Sequence, residues 1–129
     1  MSKDMKYVTL MDFYGSLLTE KQRNAMELYY YDDLSLSEIA EHTCTTRQGV
    51  HDSLKRAETY LDELENKLGF VESNNRLCSI VNKIEAKSNR IASISSGTNS
   101  QEEVVRLANE VSQLAKTSKD FLIYVGVSY

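Results

Sequence analysis

The sequence predicts an all-α protein: a helix-turn-helix bundle over residues 1–69, followed by a C-terminal antiparallel helical hairpin over residues 70–129. Three observations lead there. Apolar residues recur every three or four positions through most of the chain, which places them on one face of a helix. Four Ser/Thr residues are each followed three positions later by Glu or Gln, ahead of an apolar run, the reciprocal pairing that caps helix N-termini. The 129 residues include no proline and only five glycines, too few turn formers for an all-β chain.

Taken in order, Leu10, Phe13, Tyr14, Leu17 and Leu18 predict a first amphipathic helix. Thr19 and Gln22 then form a capping box that opens a second helix with Ala25, Met26, Leu28, Tyr29 and Tyr30 on its apolar side. Asp32-Asp33 suits a turn. Ser35 and Glu38 open a short helix with Ile39 and Ala40 inward. Thr45 with Gln48 offers a third box, and Thr46 serves equally well as the cap. From there Val50, Leu54, Ala57, Leu61, Leu64 and Leu68 hold one stripe over about 23 residues, or ~34 Å. Gly69 follows, where a left-handed cap costs glycine least.

The remainder reads as a second unit. Leu77, Ile80, Val81, Ile84, Ile91 and Ile94 form a stripe interrupted by Lys87 and Ser88. Ser95-Ser96-Gly97-Thr98-Asn99 reads as a loop. Ser100 and Glu103 form the fourth capping box, ahead of Val104, Leu107, Val111 and Leu114. Two amphipathic helices joined this way must pack on each other or on a partner, since neither is stable alone in water. The end, Phe121 to Tyr129, suits a strand, a helix end or an added edge.

Charge narrows the function. Residues 1–69 carry 8 basic and 13 acidic side chains, and residues 70–129 carry 7 and 6. A protein that binds nucleic acid mainly by electrostatics would be basic, so any DNA binding must use a small local cationic surface. No apolar run reaches the ~20 residues of a membrane span, and MSKDMKYVTL lacks the apolar core of a secretory signal. A cytoplasmic protein with reduced thiols at Cys44 and Cys78 is therefore expected, with no membrane insertion. No phosphate loop, nucleophile elbow or metalloprotease motif is present, so neither an enzyme nor a cofactor is expected. His42, Cys44 and His51 match no zinc spacing. At least one of Tyr29, Tyr30 and Tyr31 is expected in the core, with RNA binding through the tyrosines a lesser idea. Asp62, Glu63 and Glu65 read as a solvated helix face, and Cys78 as a small buried hydrophobe.

The informative stretch is Leu34 to Arg56, LSLSEIAEHTCTTRQGVHDSLKR. A short capped helix, a tight turn and a second helix opening Thr-Arg-Gln-Gly-Val make a helix-turn-helix, whose second helix presents its first side chains to a major groove. Thr46, Arg47, Gln48, His51, Asp52, Lys55 and Arg56 lie at its start or away from its apolar stripe. Arg47 suits guanine and Gln48 adenine, with His51 a further base reader, while Lys55, Arg56, Lys21 and Arg23 suit phosphates.

Residues 10–69 resemble the YlxM-like helix-turn-helix proteins of Gram-positive bacteria, and also the region-4 domain of sigma factors that reads the −35 promoter element. DFYG-x-LLTEKQR, LYYYDDLSLSEIAE and TRQGV-x-D-x-LKR carry the likeness. The resemblance implies a regulatory protein that binds double-stranded DNA. It also implies a link to the signal recognition particle pathway, because genes of this family accompany those of its GTPases. The family pattern has an apolar residue, glycine and an apolar residue before Ser/Thr-Arg-Gln, where this chain has Thr43, Cys44 and Thr45. Glycine there answers a need for positive φ, which costs other residues on the order of 1 kcal/mol. Two readings stay open: a DNA reader, with a homodimer through residues 73–125 for a two-fold half-site, or an adaptor in the secretion pathway that uses the hairpin and carries a decayed DNA-binding motif.

Overall fold

The computed structural model describes residues 2–95 and 101–124, and these form six α-helices and no strand. They are α1 (Lys6–Tyr14), α2 (Glu20–Tyr30), α3 (Leu36–His42), α4 (Arg47–Leu68), α5 (Phe70–Ser95) and α6 (Gln101–Tyr124), with a 3₁₀ turn at Gly15–Leu17. The chain divides into two compact units, Met1–Val71 and Glu72–Tyr129. No helix among the described residues is long and apolar enough to cross a membrane.

In the first unit α4 is the central post, packed against α1, α2 and α3. Its stripe of Val50, Leu54, Ala57 and Leu61 is buried together with Met26, Ile39 and Tyr14. The capping boxes stand as the sequence indicates. Thr19 Oγ1 accepts from Gln22 N at 3.2 Å, Gln22 Oε1 from Thr19 N at 3.2 Å, Ser35 Oγ from Glu38 N at 3.2 Å and Glu38 Oε2 from Ser35 N at 2.7 Å. The Ser35 backbone N–H holds the Glu38 carboxyl below the usual carboxylate range. At α4 the cap is Thr46, whose Oγ1 accepts from Gly49 N at 3.0 Å. Thr45 instead shares a 2.9 Å hydrogen bond with the Thr43 hydroxyl. Gly69 is left-handed at φ 63° and its N–H donates to Glu65 O, closing α4.

Two side-chain readings of this unit need correction, the α1 stripe and the acidic run. The α1 stripe is displaced: Leu10, Met11 and Tyr14 are buried, whereas Phe13 and Leu17 are exposed. For Leu17 the cause is a change of helix type at Gly15, because the tighter 3₁₀ turn rotates it away from the 3.6-residue face. The tyrosine reading holds: Tyr29 and Tyr30 are core, and Tyr31 is not. The acidic run is only partly solvated. Tyr7 Oη donates to Asp62 Oδ2 at 2.8 Å, and Tyr14 Oη to Glu65 Oε1 at 3.1 Å. One turn earlier Tyr30 Oη donates to Glu58 Oε1 at 2.8 Å, and Glu58 is only 6% exposed. Positions 58, 62 and 65 share one side of α4, so three tyrosines from α1 and α2 hold it through three carboxylates. The first unit runs two residues beyond Gly69, because Phe70 N donates to Tyr14 Oη (3.1 Å) and Val71 N to Glu65 Oε1 (2.9 Å).

In the second unit α5 and α6 are antiparallel, as the ion pairs Lys87–Glu110 and Arg90–Glu103 require. Leu77, Ile80, Ile84, Ile91 and Ile94 are half-buried on the shared seam, and Lys87 occupies a seam position where the sequence suggested an interruption. Val81 lies off the seam, 50% exposed. Cys78 is exposed, contrary to expectation, because it sits one position after Leu77 and so points away from α6. Helix α6 extends to Tyr124, so residues 121–124 are a helix end; residues 125–129, the loop from 96 and the Ser100 cap lie outside the described residues.

Candidate nucleic-acid interface

The corner between α3 and α4 is fixed by backbone hydrogen bonding. Thr45 N donates to Ala40 O at 2.9 Å and Cys44 N to Glu41 O at 3.3 Å, the paired closure of a Schellman motif. Such a closure needs a left-handed residue between, and Cys44 takes it at φ 53°. The Thr43 hydroxyl adds a bond to Ile39 O at 2.7 Å. The geometry that glycine usually serves is therefore retained with a cysteine in place.

From this corner Thr46 caps α4, Val50 and Leu54 turn inward, and the polar residues of the first two turns turn outward. Arg47, Gln48, Asp52, Lys55 and Arg56 are exposed, and His51 is half-buried. Gln48 Nε2 donates to Asp52 Oδ1 at 2.9 Å. His51 Nδ1 lies 3.5 Å from the same oxygen, without hydrogen-bond geometry. Asp52 thus gathers both neighbours on the outward face. Lys55 Nζ stands 3.6 Å from Glu58 Oε2, so part of its charge offsets a buried carboxylate. The Arg47, Arg56, Lys21 and Arg23 side chains have no hydrogen-bond or ion-pair partner among the described residues.

Lys21 joins the α4 start: with Asn24, His42, Thr45, Gly49 and Ser53 it lines a half-open groove of about 500 Å³ floored by Ala25, Ile39 and Val50. Arg23 faces a neighbouring open depression beside Glu20 and Glu27, which Lys21 and Asn24 also line. Lys55 and Arg56 line a third, with Thr59, Tyr60 and Glu63, one turn farther along α4. The structure therefore brings Lys21 to the corner groove, which Arg23 does not line. Asn24 and Ser53 were missed in the sequence; each follows a noted residue, Lys21 or Gly49, by three or four positions and so shares its helix face. Among the described residues no group of three or more His, Cys, Asp or Glu side chains could hold a metal ion.

Two capped helices meeting at a left-handed corner, the second presenting uncommitted cations from its first turns, define a helix-turn-helix protein. The model of the UPF0122 family, described as "Putative helix-turn-helix protein, YlxM / p13 like", matches residues 1–104. A UPF0122 protein of Thermoanaerobacter sp. (strain X514) is 48% identical over 86 residues, covering 66% of this chain and 74% of its own. Those of Desulforamulus reducens and Clostridium kluyveri (strain ATCC 8527) are each 49% identical, over 89 and 77 residues, covering 66% and 60% of this chain and 76% and 69% of their own. The chain belongs to this UPF0122, YlxM / p13-like family.

Proposed function

We propose that this chain is a cytoplasmic regulatory protein that binds double-stranded DNA through α4, with residues 1–69 as the DNA-binding domain. The observation that carries this reading is the outward projection of Arg47, Gln48 and His51 from the first two turns of α4, behind a corner closed by its own backbone. Arg47, with no partner among the described residues, suits the bidentate contact to guanine. Gln48 reads adenine with the amide that Asp52 orients. Thr46 sets where α4 starts, and Lys21, Arg23, Lys55 and Arg56 supply phosphate contacts, as in a sigma region-4-like reader. The pairing with Glu58 makes Lys55 the weakest of these.

Selection from a random duplex library at two salt concentrations tests the reading. The wild type enriches a motif, and Arg47→Ala relaxes it by ~1–3 kcal/mol at one position. Lys21→Ala weakens all sequences alike and reduces the log–log salt slope by about 0.9. An unenriched library, or affinity unchanged in both variants, refutes it.

The second reading, an adaptor for a protein of the signal recognition particle pathway, is favoured by the acidic balance of residues 1–69 and by the half-buried seam of α5 and α6. Homodimerisation through residues 73–125 serves both readings. It would let two copies of α4 meet a two-fold site.

A further inference from the structure

The first two turns of α4 hold an enclosed polar atom, His51 Nδ1, that has no hydrogen-bond partner among the described residues. Asp52 Oδ1 stands 3.5 Å from it. The same oxygen accepts from Gln48 Nε2 at 2.9 Å, which keeps the carboxylate beside the ring. A neutral imidazole carries its proton on one nitrogen and a lone pair on the other, and the surroundings decide which. A lone pair on Nδ1 would meet the carboxylate oxygen negative end to negative end, in a place shut off from water. A proton on Nδ1 instead turns the positive end of an N–H dipole toward Asp52. The carboxylate therefore draws the proton to Nδ1 and leaves a bare lone pair on Nε2. The side chain is 37% exposed, and with Nδ1 enclosed only Nε2 can serve a base edge.

We propose that His51 reads DNA as a hydrogen-bond acceptor, through Nε2, and that Asp52 is the positioning residue that fixes this form of the ring. The inference rests on α4 as the DNA-reading helix and names what one of its side chains takes there: the exocyclic amine of cytosine or adenine. In the major groove N4 of cytosine and N6 of adenine are the donors, whereas guanine shows the acceptors N7 and O6, and thymine O4 and a methyl group. A ring with its proton on Nε2 would select the other way, for N7 or O6 of guanine, O4 of thymine or N7 of adenine. Cytosine and guanine are thus the bases that separate the two forms. The same assignment gives Asp52 a task on a face it shares with Arg47, Lys55 and Arg56. Its Oδ1 holds the Gln48 amide and sets the His51 proton, so one carboxylate prepares two neighbouring readers.

Two measurements on the full chain test it. Long-range proton–nitrogen NMR spectra of histidine-labelled protein at about pH 8, above the usual histidine range, report which ring nitrogen holds the proton. The wild type shows Nδ1–H at His51; Asp52→Ala moves that proton to Nε2 and leaves the signals of His42 as they were. Selection from a random duplex library then finds the position whose preference His51→Ala removes. There the wild type takes cytosine or adenine over guanine by roughly two- to tenfold, the worth of one hydrogen bond. Asp52→Ala admits guanine and rejects cytosine. A wild-type ring with Nε2–H, or a proton that Asp52→Ala does not move, overturns the proposal with no DNA present. Guanine preferred by the wild type, or no position altered by His51→Ala, overturns it as well. So does a cytosine preference that survives His51→Ala and is lost in Asp52→Ala, since Asp52 would then read the amine itself. A library that enriches nothing refutes α4 as a reader and the base preference with it, whatever the spectra show.

Discussion

In α4 the row Val50, Leu54, Ala57 and Leu61 is spaced by four, three and four residues; in α5 the row Leu77, Ile80, Ile84 and Ile91 follows nearly the same rhythm. Every member of the first row is buried, to 3% exposure or less, and every member of the second is only half-buried. The chemistry of the two rows is alike, so the difference lies in the number of neighbours. Helix α4 is packed by α1, α2 and α3, while α5 has α6 alone beside it among the described residues of its unit. Periodicity tells which face of a helix turns inward, and the count of elements around it decides how deep that face goes.

Truncation should separate the two regions most sharply. Leu54→Ala opens a cavity in a closed core and costs ~2–5 kcal/mol in urea unfolding, whereas Ile84→Ala, measured at concentrations where the chain is monomeric, costs about 1 kcal/mol. Equal costs would break the comparison and mean that the hairpin seam is as closed as the core.

The next effect concerns the tyrosine–carboxylate contacts, present in the first unit and without counterpart in the described part of the second. Tyr30→Phe leaves the buried Glu58 without its hydroxyl donor and costs ~1–3 kcal/mol. Tyr7→Phe costs less, because Asp62 keeps Lys6 Nζ at 3.2 Å. Burial, and next the neighbouring carboxylates, push the hydroxyls of Tyr7 and Tyr30 above the usual tyrosine value; for Tyr14 burial leads, with Glu65 adding to it. The unfolded chain therefore releases these protons first as pH rises. Stability from this source is complete below about pH 10 and is lost above it, through the raised folded values. Unfolding followed from pH 8 to 12 should show that decline, shallower in Tyr30→Phe; a pH-independent wild type would refute the coupling.

Much of this was legible because it is local. The boxes Thr19–Gln22 and Ser35–Glu38, the cap at Thr46, the close at Gly69 and the need for positive φ at Cys44 each depend on residues within a few positions of one another. What escaped depends on distant partners. Nothing near Asp62 or Glu65 in the sequence reveals that Tyr7 and Tyr14, more than 50 residues earlier, approach them. The same holds within the candidate interface. The outward residues of α4 follow from its stripe, but the Lys55–Glu58 pairing depends on Tyr30 drawing Glu58 into the core. Lys21 and Arg23, two positions apart on α2, share one depression, yet Lys21 alone of the two also lines the groove at the α3–α4 corner.

The smallest effect sharpens the comparison between two corners of the first unit. Cys44 and Gly69 both take left-handed backbone, at φ 53° and 63°, and both follow a helix, yet only one is glycine. A Cβ at Gly69 would meet nothing within 4 Å, so Gly69→Ala isolates the backbone cost, about 1 kcal/mol of lost stability. The reverse exchange, Cys44→Gly, should recover a similar amount, less what glycine's extra unfolded-state entropy removes. Calorimetry on the pair decides whether the corner is strained or compensated. A gain at Cys44→Gly with unchanged DNA affinity means the cysteine costs stability alone. No gain means that the bonds of Thr43 to Ile39 O and Thr45 to Ala40 O already offset the strain, so that the α3–α4 corner is as firm with cysteine as with glycine.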